Sequence, residues 1–167
     1  AVSAKLVRRR EGLDLSPAML ERAAARGVYD ALHCAELAEH LAQTDARVDL
    51  LLAADVFIYV GALEAVFTGA MRVLRPGGRL MVLDFSTPTS KPLRAVHDTF
   101  YFTLMPRVGW AVAWHNDAHR YTSDSIRTWL SRDELSAAMT EAGLVDARYV
   151  SLSTGFATVH LASRATD

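Results

Sequence analysis

Cysteine is almost absent from these 167 residues, and that scarcity alone removes two classes of protein. Cys34, the one thiol, has no second cysteine in the chain to pair with, so an internal disulfide framework and a thiolate metal cluster made by this chain are both excluded. A reducing, cytoplasmic setting fits that usage. A strong charge of either sign is also missing: 18 Lys and Arg stand against 19 Asp and Glu, a formal charge of −1. With no basic stripe and no aromatic and basic interleaving, nucleic acid is not expected as a partner. Long apolar runs are lacking as well. The longest, Thr99–Trp114, is interrupted by Pro106 and Arg107 and falls short of the ~20 residues a spanning helix needs. The opening A-V-S-A-K-L-V-R-R-R has no apolar core followed by a small-residue cleavage site, so a soluble protein is expected. Repeats and low-complexity linkers are absent, and the length predicts one domain, residues 1–167.

What is present is an alternation of short apolar runs and helical patterns. Ala1–Arg10 reads as the end of a helix, with Arg8, Arg9 and Arg10 near its negative pole. Gly12–Leu15 reads as a strand and Pro17–Arg26 as a helix, with Ser16 as its N-cap and Gly27 as its stop. Val28–Cys34 is a second strand and Glu36–Gln43 a short helix. Val48–Ala54, V-D-L-L-L-A-A, is the near-continuous run of a strand covered on both faces, and it stops at Asp55. Leu63–Leu74 has the stripe of a helix, R-P-G-G turns the chain, and Gly78–Phe85 is the next strand. This order predicts an α/β fold with a parallel sheet and right-handed crossovers. Beyond the loop Ser86–Pro92, Leu93–Trp114 is aromatic-rich and helical up to Pro106. Ser131–Gly143 is a helix marked by a Ser131/Glu134 capping box. Val145–Leu152 and Phe156–Ala162 form a terminal hairpin.

Asp14 is the anchor of the functional reading. An acid at the carboxyl end of a parallel strand, just before a helix, is where nucleotide-binding α/β folds hold a ribose, because two fixed oxygens accept from two vicinal hydroxyls. The competing role is simple helix capping.

Asp14, the strand ending at Asp55, the L-R-P-G-G-R-L turn at Leu74–Leu80 and the terminal hairpin together resemble a class I S-adenosylmethionine-dependent methyltransferase. That resemblance implies a doubly wound, mostly parallel, Rossmann-like sheet ending in an antiparallel hairpin. The segment Leu83–Arg94, L-D-F-S-T-P-T-S-K-P-L-R, resembles the ubiquinone and menaquinone biosynthesis C-methyltransferases. Tyr101-Phe102, Met105-Pro106, His119-Arg120-Tyr121, Ser125-Ile126-Arg127, Ala142-Gly143-Leu144 and Thr154-Gly155 continue it. The front half, in Glu11–Leu20, Leu32–Leu37 and Ala53–Leu63, is more similar to methyltransferases associated with tetratricopeptide repeats. Val56–Gly61 stands where quinone methyltransferases carry Gly-Leu-Arg-Asn. No G-x-G precedes Gly12, so the first strand and Gly-rich cofactor loop of the fold are expected to be lacking from this chain, which makes it a partial domain.

The resemblance implies S-adenosylmethionine as cofactor. Asp14 would accept from its ribose, with Leu15 and Met19 on the same rim. Ala35, Glu36 and Leu37 would meet the adenine, and Ala54 and Asp55 would floor the site. Glu36 has an alternative as an ordinary first-turn helix acid. The reaction is expected to be methyl transfer to a quinol-like or other aromatic small molecule, most simply at carbon. Such a transfer needs an aligned in-line attack, exclusion of water and removal of one ring proton. Tyr59, His115, His119 and Tyr121 are candidates for the base or orienting group. His115, Asp117 and His119 form H-x-D-x-H without a clear third ligand, so no metal is expected. The aromatic run from Phe100 to Trp114 is core by default, and its exposed part would suit an apolar acceptor or peripheral contact with a membrane surface. Two other readings stay open: a non-catalytic methyltransferase-like subunit that scaffolds a partner chain or a second copy, and an O- or N-methyltransferase of another metabolite.

Overall fold

The computed structural model describes residues 7–61, 63–86, 88, 90–100 and 130–166. The backbone falls into two compact units, Ala1–Asp45 and Ala46–Asp167.

In the first unit, strand β1 (Glu11–Asp14) and strand β2 (Ala31–Cys34) pair in parallel, with Glu11 opposite Ala31 and Asp14 opposite Cys34. The pair is tied ahead of the ladder: Asp30 N–H donates to the Arg10 carbonyl at 2.8 Å and Arg10 N–H donates to Asp30 Oδ2 at 2.6 Å. Glu11 accepts Arg9 at 2.7 Å and lies 3.1 Å from His33 Nε2. Helix α1 (Pro17–Ala24) connects the strands. Its N-cap Ser16 has extended φ and ψ and accepts from Met19 N–H, and Pro17 occupies the first turn, where its missing donor costs nothing. Helix α2 (Leu37–Gln43) follows β2. Leu41 is the one buried residue among those described here, so this unit owes little to a core of its own. Val7–Arg10 is not helical, contrary to the sequence expectation, and a cluster of arginines with no apolar stripe gives a helix nothing to pack.

The second unit contains a four-stranded mixed sheet in the order β3-β4-β6-β5, made of β3 (Val48–Ala54), β4 (Leu74–Phe85), β5 (Val145–Leu152) and β6 (Ala157–Ser163). β3 and β4 are parallel. β6 inserts between β4 and β5, antiparallel to both, which realises the predicted hairpin. Helix α3 (Leu63–Val73) packs on β4, and helix α5 (Arg132–Glu141) packs on β5 and β6; helix α4 (Lys91–Thr99) lies between them in the chain. α4 thus begins inside what composition marked as a loop, because Pro92 is tolerated in a first helical turn.

Alternation along the ladder divides the sheet into two faces. One carries Leu80 and Val82 and is sealed by Phe57, Val66, Phe67, Ala70, Val73, Leu135 and Met139, all buried. Phe57 and Phe67 meet edge to face at 5.7 Å. The opposite face sets Leu50 and Leu52 beside Arg79 and Met81, with Leu161 next to them, around a shallow open depression. Leu50 and Leu52 are 51% and 58% exposed, so β3 is not covered on both faces as its apolar run predicts: its range matches the pattern, but one of its faces is open.

The R-P-G-G segment was expected to end a helix and turn. It does both within the span of β4, where the pairing with β3 jumps from Val48 opposite Leu74 to Leu50 opposite Arg79. Gly77 has φ +73°, and a Cβ at Gly78 would lie 2.8 Å from the Arg75 carbonyl oxygen, so neither position admits a side chain without displacement. Arg164 closes the junction by donating from Nη1 to the carbonyls of Met71 at 2.9 Å and Leu74 at 2.7 Å, the orphan acceptors at the end of α3.

Candidate functional site

The carboxyl edge of the β1–β2 pair gathers six of the residues singled out from sequence. Asp14 ends β1 opposite Cys34, so the step from Leu15 and the step from Ala35 leave adjacent strands side by side. Cys34 Sγ donates to the Leu15 carbonyl at 3.7 Å, linking the two exits. Asp14 Oδ1 accepts from Ser16 N–H at 2.7 Å. That bond fixes the carboxylate at the strand end, and Oδ2 makes no hydrogen bond among the described residues. Both roles weighed from sequence, helix entry and a fixed acceptor, are therefore compatible. Leu15 and Met19 are 68% and 51% exposed on the same rim, an apolar border that an aromatic base or a sugar face would cover.

Glu36 is drawn the other way. It is the N-cap of α2, with Oε2 accepting from Glu39 N–H at 2.8 Å. The N–H groups of Glu39, Ala38 and Leu37 hold its carboxyl below the ordinary carboxylate range. The helix consequently starts at Leu37, one residue after the expected start.

Ala54 and Asp55 close β3 in the second unit. Asp55 has φ +57°, a left-handed backbone that sends the chain sharply away from the strand, and its N–H still donates to the Leu83 carbonyl at 2.8 Å. A 3-10 turn, Phe57–Tyr59, follows. Phe57 and Ile58 point into the core while Tyr59 stays 42% exposed. His115, His119 and Tyr121 lie outside the described residues. No cluster of three His, Cys, Asp or Glu residues suited to a metal occurs among the described ones.

Three groups were not found by sequence reasoning. Asp84, on β4, is buried, and neither carboxylate oxygen has a hydrogen-bond partner. Burial and then the neighbouring charge of Asp55 push its carboxyl up to about 7, although the N–H groups of Phe57 and Val56 favour the ionised form. The signal available in advance was a carboxylate inside the apolar run L-M-V-L-D-F. Arg132, at the start of α5, donates from Nε to Thr158 Oγ1 at 3.1 Å and from Nη2 to Ser86 Oγ at 3.3 Å and the Gly155 carbonyl at 3.0 Å. Ser86 and Thr158 hydroxyls are themselves 2.7 Å apart. The L-D-F-S segment, the Thr154-Gly155 turn and α5 are thus one knot. His160 lies buried on β6, with Nε2 at 3.1 Å from the Arg132 carbonyl; burial pulls its imidazole below the usual value.

The architecture is that of S-adenosylmethionine-dependent methyltransferases. The N-methyltransferase NodS from Bradyrhizobium japonicum WM9, solved in complex with S-adenosyl-L-homocysteine, superposes with a TM-score of 0.60 at 16% identity, covering 96% of this chain and 70% of that one. The methyltransferase SibL in its apo form gives 0.61 at 18%, covering 94% and 43%. These likenesses establish the fold. The chain matches the ubiE/COQ5 methyltransferase family over residues 3–164 and belongs to it. Among its relatives, the ubiquinone/menaquinone biosynthesis C-methyltransferase UbiE of Enterobacter sp. (strain 638) is 40% identical over 97 residues, 58% of this chain and 39% of that protein. UbiE of Coxiella burnetii (strain Dugway 5J108-111) is 44% identical over 89 residues, 53% and 36%. The chain therefore spans about two fifths of the length of these curated relatives.

Proposed function

We propose that this chain is part of a single methyltransferase domain that transfers a methyl group from S-adenosylmethionine to a ring carbon of a quinol-like aromatic acceptor. Membership in the ubiE/COQ5 family and the C-methyltransferase activity for which the UbiE relatives are named support the reaction class. The observation that carries the cofactor reading is the placement of Asp14 beside Ala35–Leu37 at one carboxyl edge.

S-adenosylmethionine supplies a methyl group already activated by its sulfonium. Asp14 accepts from the ribose hydroxyls through the carboxylate that Ser16 N–H orients. Leu15 and Met19 exclude water from that rim, and Ala35 and Leu37 border the base. In the second unit, taken by itself, Ala54 and Asp55 close β3, and the exposed Tyr59 is the candidate to orient the acceptor or take up the ring proton. A carboxylate at Glu36 that already accepts a helix N–H contributes through its remaining acceptor capacity. No described helix is long and apolar enough to cross a membrane.

Isothermal titration of the full-length gene product with S-adenosylhomocysteine tests this. The expected result is binding that weakens roughly 10- to 100-fold in D14N, about the worth of one or two hydrogen bonds to a charged acceptor. A folded protein that binds no S-adenosylhomocysteine overturns the reading.

A further inference from the structure

Among the described residues the proposed chemistry leaves two buried ionisable groups unused, Asp84 and His160; His160 is held through Nε2 by the Arg132 carbonyl, whereas neither oxygen of Asp84 has a partner. Asp84 is 4% exposed on the helix-covered face of β4. The register sets it between the end of β3, where Ala54 opposes Leu83 and Asp55 is the next residue, and Thr158 of β6, which it opposes directly. Neither of its oxygens is hydrogen-bonded, while Val56 and Phe57 present N–H groups toward it from the turn above. The chain over it is shaped by the left-handed Asp55 and by Phe57 and Ile58, which are 1% and 6% exposed.

Among the described residues the other charged or titratable groups on this face are few; β5 contributes Tyr149, which lies opposite His160 and donates its hydroxyl to Asp133 of α5 at 3.2 Å. The residue that follows β3 is Asp55. α5 contributes Arg132, whose guanidinium is held by Thr158, Ser86 and the Gly155 carbonyl. β6 contributes His160, bonded through Nε2 to the Arg132 carbonyl. α3 turns Val66, Phe67 and Ala70 inward and carries Glu64 in its exposed first turn.

A carboxyl group shut away from water holds its proton more tightly than a hydrated one. Lifting the turn hydrates it and restores its usual acidity. Linkage then fixes the sign: the seated turn binds the proton better than the lifted one, so neutrality of the carboxyl favours seating and ionisation favours lifting. We propose that Asp84 is a positioning residue for the β3–α3 loop, keeping Asp55–Tyr59 seated over the ends of β3 and β4 within the second unit while neutral and letting it lift when ionised. Its bearing on cofactor binding rests on the function proposed above, whereas the seating itself does not.

The test is hydrogen exchange of the Val56–Tyr59 amides in the full chain over a series of pH values from 5 to 8, expressed as protection factors, for the natural protein, D84N and D55N. Protection in the natural protein is expected to fall by tenfold or more at the higher pH, with an upper limit on the order of 100-fold if lifting hydrates the carboxyl fully. D84N, which cannot ionise, keeps its protection within twofold. D55N still loses protection, but with a midpoint at lower pH, because one repelling charge is gone. An unchanged natural protein, or a D84N variant that falls as steeply, overturns the proposal. Should D84N not fold, an unshifted midpoint in D55N overturns it instead. Titration with S-adenosylhomocysteine separates the two claims. Affinity that drops with pH in the natural protein and stays level in D84N supports a role of the seated loop in cofactor binding. A pH-dependent loop in a protein that binds no S-adenosylhomocysteine at either pH supports the seating and overturns the cofactor reading.

Discussion

Alanine at Gly155 should be among the most damaging small changes available in the second unit, and the damage should run through Arg132. Gly155 has φ +99°, outside the regions open to L side chains, so an added methyl imposes backbone strain of about 1–3 kcal/mol. The same Cβ would lie 2.9 Å from Arg132 Nη2 and 3.3 Å from Pro88 Cα. The first contact displaces the guanidinium from the Gly155 carbonyl and Ser86 Oγ, and bonds from a charged donor are worth about 1.5–3 kcal/mol. G155A is therefore expected to cost about 3–5 kcal/mol. R132A alone removes the same bonds without orphaning Thr158, whose hydroxyl keeps Ser86 at 2.7 Å. In the double variant the methyl no longer meets a guanidinium, while the strain and the Pro88 contact persist. The double variant should thus be less damaged than the sum of the singles by about 1.5–3 kcal/mol. Urea denaturation followed through the amides of β4 and β6 keeps the signal within this unit. Additivity within about 0.5 kcal/mol would refute the idea that one contact transmits both effects.

Three further outcomes are expected. Removing the α5 cap with S131A should lower stability by about 1 kcal/mol, because Ser131 Oγ accepts Glu134 N–H and Glu134 returns the bond to Ser131 N–H; S131T should restore most of it on the same urea midpoint. F67A should cost about 3–5 kcal/mol, since the ring is 1% exposed and stacks edge to face on Phe57, and calorimetry would record it. His160 should give stability a pH slope: its imidazole is depressed in the folded chain, so the unfolded chain takes up the proton first. Stability is then complete above the ordinary value near 6.5 and declines as pH falls below it. Subtracting the pH profile of H160Q isolates that slope, and identical profiles would show that His160 does not titrate differently on folding.

Elements whose signals are local were legible in the sequence. The Ser131/Glu134 box, the Pro17 helix start and the apolar run of β3 are written in a few consecutive residues, and each lies where the pattern put it. Strand ends were less legible: β1 starts at Glu11 because pairing with Ala31, not composition, decides it. The site was read in part. Asp14 and Ala35–Leu37 share an edge because strand order fixes which ends are neighbours, and that order follows from alternation of elements. The Arg132 knot was invisible, since its partners at 86, 155 and 158 are brought together only by the antiparallel insertion of β6. Asp84 stood in plain view within an apolar run, but nothing in a linear sequence says which face a carboxylate takes until the register is known. The 3-10 turn at Phe57–Tyr59 was missed because three residues carry no periodicity.

β3 ends the four-stranded sheet on one side, and its seven residues include a single charge, Asp49, with no proline and with Leu50 and Leu52 turned to solvent. An apolar, sparsely charged edge strand of that kind recruits further strands, from its own kind as readily as from anything else. Production of this polypeptide by itself should consequently be limited by clumping before it is limited by fold stability. A lysine placed at position 52 would be the simplest gatekeeper.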